Sequence, residues 1–148
     1  NNLHSIIVET DTHPGFMTDW QQPLTIVLTQ SEGKSIIHET VYQDRFHYIK
    51  DLNLMGGRVK VVEECLGEIP CRFKNQKNPH TAIILGPSKL RGANIVVSDL
   101  RAGIAHLVAA LTAEGESKIY GIEEIDRGYE KIDQRLKKLG ADIERIKS

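Results

Sequence analysis

Apolar residues along this chain fall in short clusters whose spacing switches between the period of a strand and that of a helix, and the switching happens twice. Ile6-Ile7-Val8 reads as a leading strand, and Trp20, Leu24, Val27 and Leu28 then recur at helical spacing. Ser35 to His38 is the next strand; Phe46, Ile49 and Leu52 mark the inward face of a second helix; Val59 to Val62 closes the set as a strand. The second set opens with Ile95-Val96-Val97, followed by a helical stripe of Leu100, Ile104, Leu107, Val108 and Leu111. Ser98 or Asp99 supplies its N-cap and Glu114-Gly115 its stop. Lys118 to Gly121 is a strand, and Tyr129, Ile132, Leu136 and Leu139 form a helical face ending at Gly140. Ala141 to Ile146 alternates as a final strand. Pro23 must sit in the first turn of its helix, because deeper in it would remove a backbone bond.

The punctuation repeats with the pattern. Thr18-Asp19, Glu32-Gly33, Asp44-Arg45 and Met55-Gly56 recur in the same order, at a nearly constant offset, as Ser98-Asp99, Glu114-Gly115, Asp126-Arg127 and Leu139-Gly140. Ordered anchors of this kind point to an internal duplication. Between the copies, residues 64–91 carry Gly67, Pro70, Asn75, Asn78, Pro79, Gly86 and Pro87, which is loop and hairpin material around a strand at Thr81 to Leu85. The reading is an α/β fold of repeated βαβαββ units, about 5–90 and 91–148, with sheets covered by helices. A unit that buries its face only against its neighbours needs about three copies for a closed core. Two copies, and a chain that opens with Asn, therefore predict a piece of something longer.

Composition narrows the class. The 148 residues are 40% apolar and 26% charged, as in a globular protein, and the net charge of −1 argues against nucleic-acid binding through phosphates. No apolar run approaches the ~18 residues of a membrane helix, and no signal region opens the chain, so the predicted location is cytoplasmic. Cys65 and Cys71, with five residues between them, form no CxxC, which argues against a disulfide framework, a zinc ribbon or a redox motif and suits a reducing compartment. The six histidines show no HxH or HExxH spacing and read as core or surface residues, with no metal or other cofactor expected. G-x-S-x-G, Walker A and G-x-G-x-x-G stretches do not occur, which removes most support for hydrolase nucleophiles and dinucleotide binding.

The candidate chemistry lies where strands feed helices. Asp99 and Arg101 occupy the first turn of one predicted helix, Asp126-Arg127 open the next, and Arg45 holds the equivalent place in the first copy. Such junctions face ligand crevices in α/β folds, and Arg forks there recognise carboxylate or phosphate. The pattern fits an anionic small molecule; it fits equally a set of surface ion pairs worth little each. Asp19, after the turn His13-Pro14-Gly15-Phe16-Met17-Thr18, is either a general base or a plain N-cap.

At these same residues the chain resembles a known family. His13-Pro14-Gly15-Phe16-Met17-Thr18-Asp19, Glu39-Thr40-Val41-Tyr42-Gln43-Asp44-Arg45-Phe46, Ser98-Asp99-Leu100-Arg101-Ala102, Asp126-Arg127-Gly128-Tyr129-Glu130 and Leu139-Gly140-Ala141-Asp142-Ile143-Glu144-Arg145 look like the C-terminal part of the UDP-N-acetylglucosamine 1-carboxyvinyltransferases, which are enolpyruvyl transferases. The resemblance implies two domains, each an inside-out α/β barrel of three repeated units, with substrates between them. It implies transfer of enolpyruvyl from phosphoenolpyruvate to the 3′-hydroxyl of UDP-N-acetylglucosamine with release of phosphate, the first committed step of peptidoglycan synthesis. It places Asp19 on the sugar hydroxyl, Val41 and Tyr42 along the nucleotide-sugar site, and Arg101 and Arg127 on the carboxylate and phosphate of phosphoenolpyruvate. Asp99 would lie near the reacting carbons and Arg45 would support the anionic site. The family's mobile loop with a reactive Cys or Asp and its Lys-Asn pair have no counterpart here. Its Asn-Arg-Phe is Asp44-Arg45-Phe46, and the 64–91 segment is longer than usual. The alternatives in another class are a non-catalytic nucleotide-sugar-binding module and a structural remnant.

Overall fold

The computed structural model describes residues 3–146. Strand β1 (Ile7–Glu9) leads through a single 3-10 turn (Thr18–Trp20) into helix α1 (Gln21–Thr29) and strand β2 (Gly33–His38). Helix α2 (Ile49–Leu54), strand β3 (Val59–Val62) and strand β4 (Thr81–Gly86) follow. Strand β5 (Asn94–Val96), helix α3 (Leu100–Thr112), strand β6 (Lys118–Tyr120) and helices α4 (Glu123–Asp126) and α5 (Ile132–Lys138) complete the described elements. The order up to β4 is βαβαββ, and each strand falls within a residue or two of the position its apolar cluster predicts.

Four strands form one sheet in the order β1-β2-β4-β3, with β1 parallel to β2 and the other pairs antiparallel. Ile37 pairs with Ala82 across β2 and β4, and Val61 pairs with Ala82 from the other side. This register turns Ile37, Ala82 and Ile84 to one buried face, and all three are fully enclosed. Strands β5 and β6 form a separate parallel pair, with Ile95 opposite Ile119.

Helices α1 and α3 depart from their predicted stripes and α5 buries none of its residues, with Leu139 exposed, whereas Phe46, Ile49 and Leu52 are buried as predicted. Helix α1 packs against the four-stranded sheet and also against α3, so it is enclosed on more than one side. Its buried residues are Gln21, Gln22, Thr25, Ile26, Leu28 and Thr29, while Trp20 and Val27 are exposed. The buried polar groups are largely paired locally. Thr25 Oγ1 donates to the Gln21 carbonyl at 2.8 Å, and the Tyr48 hydroxyl lies 2.7 Å from Thr25 Oγ1 and 2.9 Å from Gln21 Oε1. Burial raises the pKa of that hydroxyl, keeping it protonated. In α3 the small residues Ala102, Ala105 and Ala109 enter the core and Leu111 stays exposed. Pro23 is the third residue of α1, inside its first turn.

Three expectations fail. Residues 141–146 form no strand: a strand exists through its ladder, and this segment is instead held by side chains, Arg145 bonding Asp126 at 2.8 Å through both amino groups and Asp133 at 3.1 Å. Asp126-Arg127 do not open a helix. Gly121, at φ +73°, turns the chain straight from β6 into α4, so Asp126 is the last residue of that helix and Arg127 its C-cap. Cys65 and Cys71 are joined as a disulfide, with Cα atoms 6.2 Å apart. The loop between them is closed by the Glu68 and Ile69 amides, which donate to Glu9 at 2.8 and 3.0 Å, a distant tie that Cys spacing does not encode. Among the described residues no helix is long and apolar enough to cross a membrane.

Candidate functional site

The loop after β2 and the start of α3 meet at one cleft of about 240 Å³, and Asp19, from the turn before α1, pairs with two arginines of its lining. Tyr42, Asp44, Arg45, Asp99 and Arg101 line it, with Gln22 and Tyr48 behind them. The centre of the arrangement is Asp19. Its Oδ1 accepts from Arg45 Nη2 at 3.1 Å and lies 3.3 Å from Arg101 Nε. The Tyr42 ring lies under both cations, 4.5 Å from the Arg45 guanidinium and 5.8 Å from that of Arg101.

Asp19 and Asp99 are the anchors the repeat equates, and the structure separates their roles. Asp99 is the N-cap of α3, its carboxylate accepting from the Arg101 and Ala102 amides at 2.8 and 3.3 Å. Asp19 caps nothing: the residues at the N-cap positions beside it are Met17 and Trp20, and neither cap uses a side chain. Its carboxylate is 63% exposed and turned to the two arginines. Of the two readings open in the sequence, the N-cap is excluded.

Arg45 differs from an ordinary surface cation. Its side chain is 8% exposed, and Nε and Nη1 are buried without an acceptor among the described residues. Orphaned donors on a buried guanidinium are costly, and an anion that pairs them removes the cost. Arg101 is half-exposed.

Glu39 organises the site, and the sequence reading gave it no role. It is fully buried at the end of β2. Oε1 accepts from Thr10 Oγ1 and the Val41 amide at 2.9 Å and from the Tyr42 amide at 3.0 Å; Oε2 accepts from Thr18 Oγ1 at 2.8 Å. One carboxylate thus ties the 10–18 turn that presents Asp19 to the loop that presents Tyr42 and Arg45. The signal was a Glu closing an apolar strand, which burial forces to find partners. Val41 contributes its amide to this knot and is half-buried behind Tyr42.

Arg127 does not join the cluster. Its guanidinium bonds Glu124 at 2.8 Å and does not line the cleft. A larger, open cleft of about 430 Å³ between Leu54, Arg58, Pro87 and Arg91 contains none of the predicted site residues.

The geometry is two guanidinium groups converging on one carboxylate beside a small cleft. The family model for EPSP synthase (3-phosphoshikimate 1-carboxyvinyltransferase) matches residues 1–144. The UDP-N-acetylglucosamine 1-carboxyvinyltransferase of Chlamydia trachomatis serovar D is 48% identical over 139 residues, 93% of this chain and 31% of that protein. The enzyme of the same name from Protochlamydia amoebophila is 50% identical over 136 residues, 92% of this chain and 29% of that protein. The chain thus spans about 30% of the length of these relatives. Among solved structures, the enolpyruvyl transferase NikO from Streptomyces tendae superposes with a TM-score of 0.80 at 26% identity, over 97% of this chain and 30% of NikO. EPSP synthase from Acinetobacter baumannii, at 17% identity and a TM-score of 0.55 over 78% of this chain and 23% of that one, shares the fold. With its family model matched over nearly the whole chain, and an enolpyruvyl transferase-like α/β fold, the chain belongs to the EPSP synthase family of carboxyvinyl transferases.

Proposed function

We propose that this chain is the C-terminal portion of an enzyme that transfers enolpyruvyl from phosphoenolpyruvate to the 3′-hydroxyl of UDP-N-acetylglucosamine, releasing phosphate, the first committed step of peptidoglycan synthesis in the cytoplasm. The observation that carries the reading is Asp19 Oδ1 held between Arg45 and Arg101 at 3.1 and 3.3 Å. The Arg101–Asp19 pair is exposed and contributes little, and the buried Arg45 keeps two further donors without acceptors among the described residues. A phosphate or carboxylate entering the cleft therefore competes well with Asp19 for the guanidinium groups. Its arrival frees Oδ1 to accept the hydrogen of the sugar hydroxyl.

The chemistry then divides by residue. The 3′-oxygen adds to C2 of phosphoenolpyruvate while its proton passes to Asp19 and a proton is added at C3. The tetrahedral adduct carries a carboxylate and a phosphate, and preorganised guanidinium groups are the natural stabiliser of such a polyanion. Loss of a proton from C3 and cleavage of the bond from C2 to the phosphate oxygen give the enol ether and phosphate. Arg101 and Arg45 hold the anion, Tyr42 and Val41 line the nucleotide-sugar side, and Asp99 fixes the first turn of α3 near the reacting carbons. Arg127 joins by motif alone, and engaging substrate requires it to leave Glu124. The two units, about 5–90 and 91–148, form part of one inside-out barrel. The remainder of the active site comes from segments that the relatives carry outside this match.

Phosphate release by the native-length protein tests the role of Asp19. Asp19→Asn keeps size and polarity but removes the base, and turnover falls about 10²- to 10⁴-fold. Wild-type turnover in Asp19→Asn excludes it as the base. Nucleotide-sugar binding without phosphate release by the wild type would favour a binding module.

A further inference from the structure

The 64–91 segment carries a second constellation that the transferase reading does not use. One donor atom from each of His38, Cys65, Cys71 and His80 lies within 4.8 Å of the others. We propose that in the reduced protein these four residues bind one zinc ion, with two thiolates and two imidazole Nε2 atoms as ligands.

The histidines carry the argument. His38 is fully buried at the end of β2, and its Nδ1 is 2.8 Å from Glu9 Oε1. Its Nε2 is buried with no partner among the described residues. His80 is 1% exposed, and its Nδ1 lies 2.7 Å from the Asn78 carbonyl oxygen. A carbonyl only accepts, so Nδ1 of His80 carries the proton and Nε2, 3.2 Å from Cys65 Sγ, keeps its lone pair. Both rings are therefore oriented through Nδ1, one by a carboxylate and one by a backbone carbonyl, as metal-bound histidines are. The carboxylate is itself fixed by the Glu68 and Ile69 amides. Gly67 permits this approach, since a Cβ there would collide with the Glu9 carboxylate.

The disulfide accounts for the two sulfurs but not for two buried imidazoles converging on them. A buried ring nitrogen without a partner calls for an explanation, and a soft S₂N₂ set of donors selects zinc. Zn–S bonds of about 2.3 Å and Zn–N bonds of about 2.0 Å place tetrahedral ligands about 3.3–3.8 Å apart. The donors lie within 4.8 Å of one another, so closing on an ion takes a separation of the two sulfurs and shifts of about an ångström in the remaining pairs. Disulfide and zinc are alternative states of one site. A dithiol reductant supplies two electrons, the S–S bond breaks, two thiols form and the reductant becomes a disulfide. Zinc then displaces the two thiol protons, and the two thiolates balance its charge. The bound ion would pin the 63–80 segment to β2 and the start of β4, next to the Glu39 knot.

The test uses the native-length protein purified under a dithiol reductant without chelator. Elemental analysis finds ~1 zinc per chain, and cobalt(II) in its place gives the intense visible bands of a tetrahedral ion with thiolate-to-metal charge transfer. Glu9→Gln keeps the size of the group that orients His38 but weakens zinc affinity about 10- to 100-fold, and Cys71→Ser, which leaves one thiolate, lowers the charge-transfer band to about half. The wild-type cobalt spectrum decides even where a variant fails to fold. Reduced wild type that carries no stoichiometric zinc, or takes up cobalt without the thiolate band, overturns the site.

Discussion

Arg45 and Glu39 show how single side chains set the chemistry at the cleft. Arg45 has its Nε and Nη1 buried without acceptors among the described residues while Nη2 holds Asp19, so a whole planar guanidinium fork is enclosed at the cleft. Lysine cannot reproduce that fork. Arg45→Lys therefore raises the KM for phosphoenolpyruvate by on the order of tenfold, about 1.4 kcal/mol, in steady-state kinetics of the native-length protein. An unchanged KM removes Arg45 from the anion site. Glu39 accepts four hydrogen bonds from two loops, and its loss leaves buried donors at Thr10 and Val41 unpaired. Glu39→Ala costs about 2–4 kcal/mol in urea unfolding. Tyr42 was implied by the resemblance alone. Sequence reasoning located Asp19, Arg45, Asp99 and Arg101 because each stands where the chain enters a helix, a position that also pointed to Arg127, which bonds Glu124 away from the cleft. It passed over Glu39 because a carboxylate's partners come from hydrogen bonds folded in from 21 and 29 residues away. It passed over the His/Cys cluster for the same reason: no local spacing joins His38 to a loop that begins beyond β3.

Elements were legible where they are buried on one face and misread where they are enclosed. The strands of the four-stranded sheet lie where alternation and β-branched runs put them. Helix α1 buries glutamines and threonines because it has neighbours on several sides, and helical periodicity assumes a single wet face. The final strand failed because alternation states only that a segment could pair, and Arg145 spends its charge on Asp126 and Asp133 instead. That contact holds the Asp126 carboxyl below its ordinary range, chiefly through the Arg145 hydrogen bonds. Helix packing also creates a pH dependence. His106 on α3 is buried 3.0 Å from Asp51 on α2, without the alignment of a hydrogen bond. Burial lowers its pKa below 6.5, and Asp51 opposes this only in part. The unfolded chain then binds more protons than the fold, so the stabilising effect is complete above pH 6.5 and is lost as pH falls from there towards the folded value. Urea melts between about pH 7.5 and about pH 5.5 show declining stability, and His106→Gln flattens the slope. A slope unchanged in that variant assigns the effect to other groups.

At the scale of the molecule, residues far apart in the chain converge on one cleft. The Asp19, Arg45 and Arg101 cluster is assembled from three separate segments beside a cleft of only about 240 Å³, below the usual size of a ligand pocket. The relatives are about three times as long as the match, in keeping with an active site closed by other parts of the protein. Duplication and a missing third unit are what the ordered anchors predict, and the structure shows a four-stranded sheet and a separate β5–β6 pair. The most direct measurement is the mass of the nucleotide product after the native-length protein is incubated with phosphoenolpyruvate and UDP-N-acetylglucosamine. The account predicts a UDP-N-acetylglucosamine carrying one carboxyvinyl group, formed in equal amount with free phosphate. Unmodified UDP-N-acetylglucosamine, with phosphoenolpyruvate intact or hydrolysed, would contradict it.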